Sequence, residues 1–404
     1  MTLSEELQWR GFVNQTTFNK LSELDSQKRT FYWGVDPTAN SMQVGNLAAA
    51  MMAKIFINHG WDAILLVGGA TGMVGDPDGK KQERDLLTID KIDENKKAIA
   101  AQYDQVFDSQ DFTVVDNYSW FKDINYLDFL RTVGKNVSVT QMLDRSFIQD
   151  RIGEGGSGIT YAEFSYSLIQ GYDYLHLFRE HNATVQLAGA DQWGNSIAGV
   201  DLIRRISGSE AHVYTCPLIV DASGKKFGKS EGNAIWVDSS QTSVYKYYQF
   251  WLNSDDASVG DYIKKYTAIQ PDDFDKLMSD FESNPQERAA QKYLAYESTK
   301  LVHGEKASNS AVKVTGTLFG GLQYNDLNDD DIAILKDELP NVKKGKDILD
   351  ILIDSGVCQT KGEARRLVES NAVSFDNQKV IDVSAQIEST GLIKKGKNTY
   401  VLVV

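Results

Sequence analysis

The 404-residue chain is poor in the side chains that build stapled or metal-centred folds. It has two cysteines, Cys216 and Cys358, which lie 142 positions apart. A pair so distant forms no disulfide framework and no clustered thiolate site, and suits a reducing compartment. Five scattered histidines, at 59, 176, 181, 212 and 303, bring no zinc-ligand spacing, so no metal site is expected. No run of 18 apolar residues occurs, which predicts no transmembrane helix and no membrane partner. The start, MTLSEELQWRG, lacks the basic-then-apolar order of a secretory signal; Thr2 and Glu5 are spaced instead as a helix capping box. Together these absences predict a cytoplasmic location. The glycine-rich segment 67–84 has neither the GxxxxGK[ST] phosphate-loop spacing nor the GxGxxG dinucleotide fingerprint, and no repeat of 20–50 residues is visible along the chain.

Positive charge is also scarce. A formal net charge of −14 argues against indiscriminate binding to nucleic acid. The sign changes along the chain, however: residues 343–404 hold ten Lys/Arg against eight Asp/Glu, a net of +2, which leaves −16 on the rest. A hydrophobic fraction of 42% with 24% charged residues is that of folded protein, and the length suggests two or three domains.

The first half alternates strand-like and helix-like runs. Thr30–Val35, Asp62–Gly68, Ala183–Ala188 and His212–Val220 read as strands. Gly45–His59 and the run from Trp193 read as helices. That order predicts an α/β domain with a Rossmann-like, doubly wound parallel sheet over residues 1–220. A helical region follows over 221–324, then an acidic stretch, 325–342, read as a solvated linker with at most a short helix at Ile332–Glu338. Residues 343–404 read as a small α+β domain with two helices, a turn at Asp376-Asn377 and a final strand.

Five segments bear chemistry. In GVDPTANSMQVGNL, 34–47, a strand ends in a turn and Gly45-Asn46 open a helix whose N-terminus favours phosphate; as a helix cap alone, Asn46 is equally well explained. VGGATGMVGDPDGKKQER, 67–84, is a glycine-rich strand-to-helix turn. It carries Asp76, suited to an ammonium group, and Lys80 and Arg84, suited to an anion or to surface salt bridges. In YAEFSYSLIQGYDY, 161–174, Tyr166, Gln170 and Asp173 recur at helical spacing on one face, an unusual set for a core. QLAGADQWGN, 186–195, is a third glycine turn, with Asp191 and Gln192 suited to ribose hydroxyls. GKKFGKSEG, 224–232, sets three lysines and a serine among glycines, fit either to close over a polyphosphate or to be an ordinary basic loop.

In this order the segments resemble those of the bacterial tyrosyl-tRNA synthetases, class I aminoacyl-tRNA synthetases, over essentially the whole chain. The set Gly34-Val35-Asp36-Pro37-Thr38, Val67–Gly72, Asp191-Gln192-Trp193-Gly194-Asn195 and Lys226-Phe227-Gly228-Lys229-Ser230 carries the resemblance. The last corresponds to the KMSKS loop, and Gln43-Val44-Gly45-Asn46 stands where the family has its HIGH motif. Lys361–Leu367 looks like part of an S4-type RNA-binding module, in which Lys361, Arg365 and Arg366 would address RNA phosphates.

The resemblance implies that Tyr32 and Asp173 bind a phenolic hydroxyl, and that Asp76, Tyr166 and Gln170 hold an α-ammonium. Gly34, Asp36, Gly45, Gly189, Asp191, Gln192 and Lys229 would contact ATP or the adenylate. Thr38, Gln43, Asn46, Lys80, Arg84, Lys226, Lys229 and Ser230 would stabilise the departing pyrophosphate. The implied reaction uses L-tyrosine, ATP as a substrate with Mg²⁺, and tRNA(Tyr), with no tightly bound prosthetic group; the implied assembly is a homodimer through the 120–165 region. Joining an ionised carboxylate to the α-phosphorus needs alignment and charge stabilisation rather than a general base, so the lack of a catalytic histidine or acid pair fits. The family commonly has histidine where Gln43 and Asn46 stand; both are amides that still donate hydrogen bonds. The sister tryptophan enzyme, a paralogue that binds without activating, and a scaffold kept as an RNA chaperone are the competing readings.

Overall fold

The computed structural model describes residues 1–77, 87–108, 111–220 and 234–404, the side chains of residues 146 and 147 excepted. The chain divides into two compact units, Met1–Ser243 with Phe250–Leu294, and Val244–Gln249 with Ala295–Val404.

The first unit is built on five parallel strands, β1 (Thr30–Val35), β2 (Asp62–Val67), β3 (Phe112–Asp116), β4 (Ala183–Gly189) and β5 (His212–Cys216), in the order β3-β2-β1-β4-β5. The apolar run of β2 is buried at every position after Asp62, as a strand covered on both faces requires. Helices α1 (Leu3–Trp9), α2 (Val44–Asn58), α3 (Ile89–Phe107), α4 (Tyr161–His181) and α5 (Trp193–Ser207) flank or precede the strands. The expected capping box of α1 is present, with Thr2 and Glu5 bonded reciprocally. Helix α4 starts on a second box, Thr160 with Glu163, and ends at Asn182 in the left-handed conformation, φ 54°. Strand β3, which the sequence analysis did not single out, lies at the sheet edge with half-exposed residues and lacks an apolar run.

The order of strands reverses between β1 and β4, and a crevice opens at the carboxyl ends of a parallel sheet at such a point. Arg10 joins α1 to the helix Val259–Tyr266 of the same unit. Its guanidinium donates to the carbonyls of Lys264, Thr267 and Ile269 at 2.8–3.0 Å, partnering acceptors around that helix's C-terminal end.

In the second unit the stretch read as a solvated linker is corrected. Asp329–Glu338 is a capped helix: Asn328 accepts from the Asp331 amide and Asp331 accepts from the Asn328 amide. Leu335 is fully buried, in a cluster with Val314, Leu318, Tyr324 and Leu402. The acidic run occupies the first helical turn, where the helix dipole favours negative charge, so it marks a helix start. The expected two helices are Ile348–Asp354 and Lys361–Glu369. The turn has positive φ at Asp376 and Asn377 (44° and 66°), and Thr399–Val403 is the last strand of a five-stranded mixed sheet.

Candidate active site

At the strand switch point lies a cavity of about 770 Å³. It is lined from β1 and its exit by Tyr32, Gly34, Asp36 and Thr38, and from the start of α2 by Gln43, Gly45 and Asn46. Asp76 follows β2; Tyr166, Gln170 and Asp173 come from α4; Gly189, Asp191 and Gln192 close β4. The fold thus brings together every described residue assigned to tyrosine or the nucleotide. Lys80, Arg84, Lys226, Lys229 and Ser230 lie outside the described residues.

Asp173 is fully buried, yet both carboxyl oxygens are held. Asn117 Nδ2 donates to Oδ2 at 3.0 Å and Trp120 Nε1 to Oδ1 at 2.9 Å. Burial, opposed by those two bonds and reinforced by the negative charge of Asp36 and Asp116, pushes its carboxyl up to about 8. Facing the same cavity, the Tyr32 hydroxyl is buried without a hydrogen-bond partner among the described residues. Burial and the neighbouring Asp173 hold its phenol well above the usual range, so it stays protonated. A buried hydroxyl without a partner is costly and marks a place for a polar group to arrive.

The second polar cluster centres on Asp36, which accepts from Thr71 Oγ1 at 2.6 Å and from Tyr166 OH at 2.7 Å. Asn117 Nδ2 also donates to Thr71 Oγ1 at 3.0 Å, and its Oδ1 accepts from the Ala70 amide. One network therefore runs Asp173–Asn117–Thr71–Asp36–Tyr166, from the buried end of the pocket toward the nucleotide side. Gly68 makes it possible: a Cβ there would lie 2.2 Å from Asp36 Oδ1 and 2.3 Å from Thr71 Oγ1. On the opposite wall Gln192 Nε2 donates to Asp76 Oδ2.

At the start of α2, Asn46 Oδ1 accepts from the Gln43 amide at 3.1 Å, so Asn46 does cap the helix start, and its side chain also lines the cavity. Residues 42–44 exchange backbone bonds with Ile235 and Val237, anchoring the chain just after the lysine-rich segment beside Gln43. Arg365 and Arg366 are exposed on the helix Lys361–Glu369, opposite its buried Ala364 and Val368. Lys361 pairs with Asp350 at 2.6 Å. Asn117 and Trp120 escaped the sequence analysis, because the strand they follow, β3, carries no apolar signal; Thr71 lay within the Val67–Gly72 segment but was given no role of its own. Among the described residues no group of three His, Cys, Asp or Glu side chains is placed to hold a metal, and no helix is long and apolar enough to cross a membrane.

A parallel sheet with a polar crevice at its switch point, walled by these motifs, is the architecture of a class I aminoacyl-tRNA synthetase. Residues 25–320 match the family of tRNA synthetases class I (W and Y). The chain belongs to that family, and within it to the tyrosyl-tRNA synthetases, since residues 331–403 match the tyrosine--tRNA ligase SYY-like C-terminal domain. It is 39% identical to a tyrosine--tRNA ligase 2 of Bacillus anthracis, over 100% of this chain and 99% of that one. The same identity and coverage hold for a tyrosine--tRNA ligase of Limosilactobacillus reuteri (strain DSM 20016). Among solved structures, a C-terminally truncated Aspergillus nidulans mitochondrial tyrosyl-tRNA synthetase superposes with a TM-score of 0.69 at 28% identity, covering 77% of this chain and 92% of that one. A tryptophanyl-tRNA synthetase from Encephalitozoon cuniculi shares the fold at 12% identity, TM-score 0.56, over 82% of this chain and 91% of that one.

Proposed function

We propose that the chain is a tyrosine–tRNA ligase working in two steps. A carboxylate oxygen of L-tyrosine attacks the α-phosphorus of ATP, and pyrophosphate leaves. A hydroxyl of the 3′-terminal ribose of tRNA(Tyr) then attacks the carbonyl carbon, and AMP leaves. The observation that carries the reading is the pair at the buried end of the pocket. Tyr32 OH lacks a partner among the described residues, and Asp173 is pinned by Asn117 and Trp120 so that it too faces the cavity. A phenolic hydroxyl satisfies both, whereas phenylalanine leaves them buried and unpaired; tyrosyl-tRNA synthetases are the standing illustration of this kind of rejection.

The other roles follow the walls of the crevice. Asp76, Tyr166 and Gln170 hold the α-ammonium, while Asp36, Gly34, Gly45, Gly189, Asp191 and Gln192 bind the adenylate. Thr38, Gln43 and Asn46 stabilise the leaving pyrophosphate with Lys80, Arg84, Lys226, Lys229 and Ser230. The backbone pairing of 42–44 with 235 and 237 supports this last grouping, because it ties the chain that follows the lysine-rich segment to the helix start. Mg²⁺ would come with ATP and would neutralise part of the phosphate charge; the described lining of the pocket offers amides, hydroxyls and carboxylates, which fits a metal held mainly by its nucleotide.

Residues 1–220 form the catalytic domain and 221–324 the helical, anticodon-binding one. Within 343–404, Lys361, Arg365 and Arg366 address RNA phosphates. The protein acts as a cytoplasmic homodimer through residues 120–165, where Tyr126, Leu127, Val139, Ile152 and Tyr161 are exposed apolar side chains. The tryptophan reading is disfavoured by the tyrosine-type C-terminal match. ATP–pyrophosphate exchange run with each of the twenty amino acids tests the proposal. Exchange with tyrosine alone is expected; exchange with tryptophan, or with none, refutes it.

A further inference from the structure

Four side chains form a single hydrogen-bonded line that ends at the pocket. Arg145, between the short helices Val139–Leu143 and Ser146–Ile152, donates from one guanidinium nitrogen to the Gly194 carbonyl and from the other to Asn195 Oδ1 at 2.6 Å. Asn195, 4% exposed in the first turn of α5, donates from Nδ2 to Gln192 Oε1 at 3.2 Å. Gln192 donates from Nε2 to Asp76 Oδ2.

The direction of this line is forced by its ends. A guanidinium only donates, so Asn195 must present its oxygen to Arg145 and its NH₂ to Gln192. Gln192 must then present its oxygen to Asn195, which leaves its NH₂ for Asp76 Oδ2, the acceptor it meets. Each amide has one allowed orientation while both charged ends are in place. The two amides would otherwise be free to flip, which would turn an acceptor toward Asp76 and drive its carboxylate away.

We infer that Arg145 is a positioning residue for the ammonium site, setting through Asn195 and Gln192 the direction in which Asp76 faces the pocket. The inference rests on the reading of Asp76 as a partner of the α-ammonium. Arg145 is not among the residues that line the pocket. Its influence is confined to ligands that carry the ammonium group.

The test is calorimetric binding of three ligands to the full-length protein: L-tyrosine, tyramine, which keeps the ammonium, and 3-(4-hydroxyphenyl)propionate, which lacks it. Arg145→Ala is expected to weaken L-tyrosine and tyramine roughly ten-fold or more, the scale of a hydrogen bond to a charged group, and to leave the propionate within about two-fold. Arg145→Lys, which keeps one donor toward Asn195 Oδ1, recovers part of the loss. Asn195→Asp covers the case in which the alanine variant folds poorly. It strengthens the contact with Arg145, so the melting temperature holds or rises, yet it puts an acceptor against Gln192 and reverses that amide, so the ammonium ligands weaken as they do with Arg145→Ala. Equal weakening of all three ligands, or unchanged tyramine binding in Asn195→Asp, overturns the inference. A wild-type protein that binds the propionate as tightly as tyrosine overturns it as well, and in that case the role given to Asp76 falls first.

Discussion

Replacing Asp173 with asparagine sets activity against stability in a way that depends on pH. In the folded chain the carboxyl is raised from its ordinary 3.8 to about 8, mainly by burial, with Asp36 and Asp116 adding to it. The folded state therefore holds a proton that the unfolded state releases between those two values. The stabilisation associated with that proton is complete below about pH 4 and is lost as pH rises toward 8, at about 1.4 kcal/mol per pH unit. From pH 5 to pH 7 the wild type should lose about 3 kcal/mol from this group alone. The asparagine variant has nothing to titrate at this position, so subtracting the two proteins' unfolding free energies cancels the groups that do not interact with it; of those that do, Asp36 and Asp116 are lesser contributors than burial.

Asparagine has a constant cost of its own. Asn117 cannot turn to suit it, because its Oδ1 is taken by the Ala70 amide, and the Trp120 indole only donates. One of those two donors must then face the new NH₂, which costs about 1–3 kcal/mol. Asp173→Asn should accordingly be about as stable as wild type near pH 5 and more stable by a few kcal/mol at pH 7, while tyrosine-dependent exchange collapses at both. Urea unfolding of the two full-length proteins at pH 5, 6 and 7 measures the difference. A difference that stays flat across this range means that Asp173 ionises as an ordinary carboxylate, and the account of the pocket's buried end is wrong.

Gln43→Ala removes a donor from the start of α2; the single-turnover rate of adenylate formation should fall about 10- to 100-fold with tyrosine affinity within about two-fold, and an unchanged rate removes Gln43 from the reaction. Gly68→Ala puts a methyl group within 2.3 Å of both Asp36 Oδ1 and Thr71 Oγ1. It should break the 2.6 Å bond between them and lower kcat/KM for exchange at least ten-fold, and wild-type kinetics would show that the Asp36 cluster is dispensable. Arg10→Ala strips donors from three backbone carbonyls and should cost about 2–4 kcal/mol in urea unfolding. Exchange by the folded variant should remain near wild type, because Arg10 is not part of the pocket's lining.

The sheet was legible where its strands are covered on both faces. Ala63–Val67 is an unbroken apolar run because helices pack on either side of it, and such a run has few alternatives. Edge strand β3 exposes part of its length and lacks that signature, so Phe112–Asp116 passed for a connection. The acidic stretch misled for a related reason. Charge density reads as solvation when counted along a sequence, but three aspartates at a helix N-terminus are stabilised by the dipole they face, and the apolar residue that secures the helix, Leu335, comes after them.

The pocket divides along the same line. Of the residues assigned to substrate, Tyr166, Gln170 and Asp173 stand out by their helical spacing on α4, whereas the role of Tyr32 on β1 came only from the family resemblance. Residues that hold those side chains in place do not: Asn117 lies 56 positions from the carboxylate it supports and Trp120 lies 53. Their identities become necessary only after the neighbours are known. A tertiary contact leaves no periodicity, but it leaves a constraint of donor and acceptor. A carboxyl buried between an indole and an amide that cannot flip must accept at both oxygens, and its free directions then point at the cavity. The proposed reading of the pocket's buried end as a receptor for a hydroxyl rests on that constraint more than on the presence of an aspartate on α4, and the same constraint predicts opposite effects of asparagine on folding and on activity at neutral pH.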